Sequence, residues 1–338
     1  MPSVSAQPRR STVHDVARAA GVSRGTVSRV LNGGYVSEVA REAVERAIRD
    51  VGYVPNNAAR TLVRQRTQAV GFIVHEPHSL FLEDPNIGGI MLGTNATLSE
   101  ADYQMVCLVV DSRRDTDRVA RYLSGGFVDG VVIVSARRED PITDVVERLA
   151  LPAAFVGHPP GISAAWVGVD NRGAARELTN RFRASGRRRI GMIAAALDRD
   201  SGSDRLAGFR DAMGEDFDPT LVEEIALYSY ADGVAGMTRL LERVPDIEGV
   251  FAASDAVAAG VIEAVKASGR QVPGDIGVVG FDDSTWARRT VPALSTVHQP
   301  AEGLGRAAAA AVLAQLAGES FSDSGQLLPT PIVWRESA

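Results

Sequence analysis

From Ala69 onward the chain alternates short aliphatic and β-branched runs with helix-length segments, and this alternation limits the fold more than any other feature. The runs AVGFIVH, YQMVCLVV, VDGVVIV, AAFVG, RRIGMIA, GVFAAS and IGVVGF are short and continuously apolar. They read as strands buried on both faces. Between them, helical patterning covers residues 86–100, 113–124, 141–150, 171–185, 204–215, 232–243, 255–268 and 301–317. Strand–helix repetition of this kind demands largely parallel sheets clad by helices. A body of about 270 residues is large for one extended core, so two similar lobes around a cleft are expected.

The first 66 residues are different in kind. They hold eleven arginines against five acidic residues, a formal charge of +6, whereas the remainder carries −12. A basic piece on an acidic body suits a nucleic-acid reader whose other part avoids phosphate. The single Cys107 rules out an intrachain disulfide and any cysteine-based zinc site; it falls in a predicted strand, where it reads as an inert buried thiol. No apolar stretch is long enough to cross a bilayer, and MPSVSAQPRRSTV lacks the apolar middle of an export signal, so a cytoplasmic location is expected.

Within the basic piece, Thr12 to Asn32 (TVHDVARAAGVSRGTVSRVLN) reads as two short helices around a tight turn at Gly21. Val16, Ala17 and Ala20 give the first helix an apolar side, and Val27, Val30 and Leu31 do the same for the second. Arg24, Gly25, Ser28 and Arg29 are left facing outward. Thr12 and Asp15 have capping-box spacing, Ser23 caps the second helix, and Ser37 caps a third over about 38–51. In that third helix Val39, Ala43, Val44, Ala47 and Ile48 are placed to close a small core. This is an all-α helix-turn-helix, whose second helix enters the DNA major groove. Ser23, Thr26, Ser28 and Asn32 are candidate phosphate contacts. Arg24 and Arg29 each offer a two-point fork to guanine, worth about 1–3 kcal/mol of discrimination per good pair. The plainer alternative, that both arginines only solvate the helix, is weaker inside this pattern.

Residues PNNAARTL, Pro55 to Leu62, permit a short helix with Ala58, Ala59 and Leu62 on one apolar side. Eight residues do not hold a helix alone in water, so this one needs a partner or DNA.

The stretch DVARAAGVSRGTVSRVLNG resembles the head of the lactose-repressor and galactose-repressor family of bacterial transcription regulators. The similarity continues through AIRDVGYVPNNAARTL and nearly the whole chain. It implies that Arg24 and Gly25 help choose the operator, with Arg29 as a further contact; Gly25, lacking a side chain, leaves more of the specificity to Arg24. It also implies a hinge helix at 55–66 that enters the minor groove, Leu62 as its wedge, and Asn57 and Ala59 near the groove floor or the partner hinge. Such wedges kink DNA by unstacking a base step.

For the body the resemblance implies a periplasmic-binding-protein-like sensor of two parallel-sheet lobes around a cleft. The domains expected are a flexible tail at 1–11, the DNA-binding head at 12–54, the hinge at 55–66 and a sensor and dimerisation body at 67–338. Lobe one would take 69–168 and 298–323, and lobe two 169–297 and 324–336. Candidate effector contacts fall at strand ends, where open α/β sheets bind ligands. They are Arg205 in SDRLAGF, Asp282 in VVGFDDS, Asp170 and Asn171 at the lobe crossover, Tyr228 as an aromatic platform, and Ser254 with Asp255 at the next helix. Each has a duller alternative: helix capping for Asp282 and Asp255, ion pairing for Arg205, lobe packing for Tyr228. The first cleft loop, HEPHSLFLEDPN, departs from the family pattern; Phe81 is its candidate aromatic, and His75, Glu76 and Ser79 its candidate polar contacts.

These readings describe a homodimeric regulator, most often a repressor, on a pseudo-palindromic operator, answering to a sugar or similar small polar metabolite. The same architecture also serves a nucleobase corepressor. An enzyme is the main competing class, but no dinucleotide fingerprint, P-loop or nucleophile elbow occurs. A transport-binding protein would lack the DNA head. No cofactor is expected, and His75 with His78 alone is too little for a metal.

Overall fold

Thr12 starts the first helix, α1 (Val13–Ala20), by the reciprocal device its spacing predicts. Its hydroxyl accepts from the Asp15 N–H while the Asp15 carboxylate accepts from the Thr12 N–H at 2.9 Å. Gly21 ends the helix at φ 66°, a left-handed conformation that costs glycine little. Ser23 then accepts from the Thr26 N–H at 3.1 Å and opens α2 (Arg24–Leu31), and Ser37 caps α3 (Glu38–Val51). Val16, Ala17, Val27, Val44, Ala47 and Tyr53 form the core of this small unit. Val39 is not part of it. It lies in the first turn of α3, before the helix meets its neighbours, and is 79% exposed.

The computed structural model describes residues 11–31, 33–53, 66–138, 140–159, 161, 164–319 and 325–338. Two compact units result, Met1–Thr67 and Gln68–Ala338.

In the second unit a six-stranded sheet builds the first lobe. Its strands are β1 (Ala69–Val74), β2 (Gln104–Val109), β3 (Gly130–Val134), β4 (Ala153–Val156), β5 (Ala165–Val169) and β11 (Gln326–Leu328), in the order β11-β5-β4-β3-β1-β2. All pair in parallel. On one face α5 (Pro85–Glu100) and α13 (Ala301–Leu316) pack over Val70, Phe72, Val132 and Val167; on the other α6 (Arg113–Ser124) and α7 (Pro141–Arg148) cover Ile73, Val131, Ile133 and Phe155. Cys107 departs from the buried position its apolar surroundings suggest. It sits on β2, which is paired on one side only, and is exposed.

The second lobe has the four-stranded parallel order β7 (Val222–Ile225), β6 (Ile190–Ala195), β8 (Gly249–Ala252), β9 (Gly277–Val279). Around it lie α8 (Asn171–Ala184), α9 (Asp200–Met213), α10 (Tyr230–Arg243), α11 (Asp255–Ala267) and the short α12 (Thr285–Arg289). A ribbon of β10 (Thr296–Val297) and β12 (Ile332–Val333) joins its edge. The chain therefore passes between lobes after β5, between β10 and α13, and between β11 and β12. This corrects the expected place of 324–336. Residues 326–328 pair with β5 in the first lobe, and the crossing falls just after them.

Glycines bring helix backbones together inside each lobe. A Cβ on Gly93 of α5 would lie 2.0 Å from the Glu302 carbonyl oxygen of α13, and one on Gly305 of α13 would lie 2.0 Å from that of Ile90. In the second lobe, Gly233 of α10 meets Val257 and Gly260 of α11 meets Tyr230 in the same reciprocal way.

Candidate ligand cleft and DNA-reading helix

The carboxyl ends of the strands of both lobes face a cavity of about 280 Å³. Arg205, on the first turns of α9, is its best-anchored side chain, and it is only 4% exposed. Its Nε donates to Asn171 Oδ1 at 2.9 Å, Nη1 to the Ala253 carbonyl at 2.6 Å, and Nη2 to Gln299 Oε1 at 3.2 Å. Asp282 Oδ1 lies 3.4 Å from Nη2. The guanidinium stands over the Phe281 ring at 3.7 Å and is 5.6 Å from the centre of Tyr228. So held, it is fixed beside the Asp282 carboxyl, its remaining N–H and the carboxyl oxygens together suited to ligand hydroxyls. Burial pushes the Asp282 carboxyl well above its ordinary range, against the pull of Arg205.

The other expected residues divide. Asp170 and Ser254 line the cavity while capping helices: Asp170 accepts from the Gly173 N–H at 2.8 Å and Ser254 from the Val257 N–H at 3.3 Å. Tyr228 lines it too, its hydroxyl 3.1 Å from Ser201 Oγ. Asp255 lies elsewhere. Fully buried, its two oxygens accept from Thr296 Oγ1 at 2.6 Å and the Ser284 N–H at 2.7 Å, which ties three segments of the second lobe together. Phe81 also misses the cavity, packing instead against the first-lobe core, because residues 78–83 form a helix, α4, that turns it inward. His75 is buried 2.8 Å from Asp140, and Ser79 is exposed on α4. The neighbouring acids Asp282 and Asp283 diverge, the latter accepting from Arg335 at 2.5 Å, so they do not form a catalytic pair.

Sequence reasoning missed several lining residues. Glu76 was one of three polar options in its loop, but its partner was not foreseen: Arg199, from the second lobe, makes a two-point buried ion pair with it. Burial raises the Glu76 carboxyl above its usual value, opposed by Arg199. Gln299, at the second crossing, and the stacked rings of His158 and Trp166 were also absent from the expectation. These residues meet from distant segments, and no periodicity marks such meetings.

Further polar contacts join the lobes around the cavity. The His158 N–H donates to Asp200, Arg137 lies 3.3 Å from Asp198, and the Trp286 indole N–H donates to the Glu83 carbonyl at 3.4 Å. Together with Glu76–Arg199 they bridge the two lobes. Among the described residues no group of three or more His, Cys, Asp or Glu could hold a metal ion, and no helix is long and apolar enough to cross a membrane.

In the N-terminal unit, α2 presents Ser23, Arg24, Gly25, Ser28 and Arg29 to solvent, with Thr26 half-buried and Val27 turned into the core. This is the outward row that major-groove reading requires. Asn32, Asn57, Ala59 and Leu62, with the expected hinge, lie outside the described residues.

A helix-turn-helix head joined to a two-lobed α/β body with a polar cleft defines a ligand-controlled DNA-binding regulator. The comparisons agree: residues 12–56 match the family described as bacterial regulatory proteins, lacI family, and residues 179–338 the periplasmic binding protein-like domain. The chain belongs to the lacI family of sequence-specific transcriptional regulators, which are not enzymes. It is 42% identical over 336 residues to the HTH-type transcriptional regulator CelR of Thermobifida fusca, covering 97% of this chain and 98% of that one. It is 30% identical over 305 residues to the ribose operon repressor of Escherichia coli K12, covering 88% and 91%. Among solved structures, a CelR–cellobiose complex matches at 39% identity and TM-score 0.78, over 97% of this chain and 100% of that one. The lac repressor dimer bound to operator and an anti-inducer matches at 25% identity and TM-score 0.87, over 97% and 99%.

Proposed function

We propose that the protein is a cytoplasmic homodimeric repressor of carbohydrate-utilisation genes whose effector is a neutral β-linked glucose disaccharide of the cellobiose type. The observation that carries this reading is the acidic lining of the cavity, whose guanidiniums are already paired. Glu76, Asp84, Asp170, Asp200, Asp204 and Asp282 put six acidic side chains on its wall, with Glu76, Asp84, Asp204 and Asp282 raised above their usual values by burial, against two guanidiniums, Arg199 and Arg205, that already have acidic partners. Such a wall leaves neither guanidinium free to hold a phosphorylated sugar or a sugar acid, while its acidic oxygens accept from the hydroxyls of a neutral sugar. The CelR–cellobiose complex among its structural relatives supports the same ligand class.

In this reading the head binds each half of a pseudo-palindromic operator, with Arg24 as the main base reader and residues 55–66 as the hinge. Disaccharide in the cleft favours one lobe arrangement, and operator binding must alter sugar affinity by the factor that sugar alters operator affinity. The test is calorimetry of the full chain with cellobiose, glucose 6-phosphate and hypoxanthine, followed by operator binding with and without whichever binds. Cellobiose alone should bind and weaken operator binding, and Arg205→Ala should abolish the response while operator binding remains. Binding of the nucleobase or the phosphosugar in its place overturns the reading.

A further inference from the structure

The carboxyl edge of the six-stranded sheet offers a ligand two sides. Arg205 and Asp282 work with Gln299, directly before α13, and with Asn86, in the first turn of α5. Both helices lie on the face that Val167 and Val169 of β5 share. Trp166 belongs to the opposite face, against the core that α6 and α7 cover. The polar cluster and the indole therefore occupy opposite sides of the sheet's edge within one cavity.

Backbone glycines shape the Trp166 side. A Cβ on Gly325 would sit 1.8 Å from the indole ring, so the chain closes directly against it, whereas one on Gly168, on the same strand as Trp166, would only reach van der Waals contact with that ring at 3.6 Å. His158, at the end of β4, stacks on Trp166 with ring centroids 4.3 Å apart and planes 25° apart. Its backbone N–H is held by Asp200 of the other lobe, yet its side chain remains exposed, and both rings line the cavity. Nothing in the Arg205 cluster uses this pair. An aromatic surface flanked by the Asp200 and Asp204 carboxylates matches the surfaces of an equatorially substituted pyranose, whose C–H groups form apolar faces while its hydroxyls point outward from the rim.

We propose that His158, held in place by Trp166, is the platform of a second sugar subsite that takes the second ring of the disaccharide while Arg205 and Asp282 take the first. This rests on the carbohydrate reading above. It makes His158 a residue that selects for length: a single ring fills the Arg205 side and leaves the imidazole uncovered.

The experiment is calorimetry of the full chain with glucose and with cellobiose, for the wild type, His158→Ala and His158→Phe. The exposed side chain at 158 makes both variants tolerable to the fold. The wild type should bind cellobiose more tightly than glucose. His158→Ala should weaken cellobiose binding by at least about 10-fold and leave glucose unchanged, and His158→Phe should restore most of the loss. If the wild type binds cellobiose and His158→Ala binds it equally well, or loses both sugars alike, the subsite is overturned and the sugar reading stands. If the wild type binds neither sugar, the sugar reading fails and takes the subsite with it.

Discussion

Glu76 at the end of β1 and Arg199 before α9 face each other across the cleft as a two-point ion pair, and both side chains are almost wholly buried. The pair spans the two lobes, so it couples their closure to the protein's own charges.

Arg199→Ala follows directly. Removing one partner from a buried pair costs about 3–5 kcal/mol while the other stays buried, and opening the cleft is the escape open to this body. Effector affinity should fall by roughly 100-fold, with a larger radius of gyration in small-angle scattering. A lower melting temperature without expansion would place the pair in lobe stability and not in closure.

Arg24 lies exposed near the start of α2 beside Gly25, which brings no side chain. Replacing Arg24 with Ala should cost about 1–3 kcal/mol at the base pair it reads and relax preference there. Selection from a random duplex library at near-physiological salt measures this. A uniform loss over all sequences would make Arg24 a phosphate contact.

Asp255 gives a pH signature. Burial lifts its carboxyl from 3.8 to about 7, although Thr296 and Ser284 hydrogen bonds favour the charged form. The folded state then holds a proton that the unfolded chain releases near pH 4, so this group's contribution to stability falls as pH rises from about 4 to about 7. In Asp255→Asn the amide oxygen still accepts from Ser284 and the amide nitrogen donates to Thr296. Between pH 4 and 7 the variant should lose less stability than the wild type. Tryptophan fluorescence during thermal unfolding reports it, since Trp166, Trp286 and Trp334 all lie in the body. Parallel pH curves would show that Asp255 does not titrate in this window.

Gly305→Ala should destabilise the first lobe by about 1–3 kcal/mol, because the new methyl meets the Ile90 carbonyl on the facing helix. Urea unfolding of the full chain measures the change. An unaltered midpoint would mean that α13 shifts away from α5 at no cost.

The main strands and helices of the body were legible because buried parallel strands read as uninterrupted apolar runs and the helices between them keep their period. The head was legible for a different reason: Thr12, Gly21, Ser23 and Ser37 mark its helix ends chemically. What escaped were β5, β7 and the two- and three-residue β10, β11 and β12, together with the short helices α4 and α12; HSLFLE of α4 offers no clear cap. In the cleft, Arg205 and Asp282 came from the family resemblance. Asp255 looked like a cleft residue by its position at a strand end, and only the structure reveals that Thr296 and Ser284 occupy both of its oxygens. Glu76–Arg199 and His158–Trp166 are meetings of segments remote in sequence, decided by tertiary packing alone.

The reciprocal glycines have a mechanical consequence. With α5 seated on α13 at backbone distance, and α10 on α11 likewise, neither lobe has soft side-chain layers at those seams to absorb a displacement. Each lobe behaves as a stiff plate. A movement of one lobe against the other then falls on the three segments that cross between them, and little of it is taken up as internal deformation.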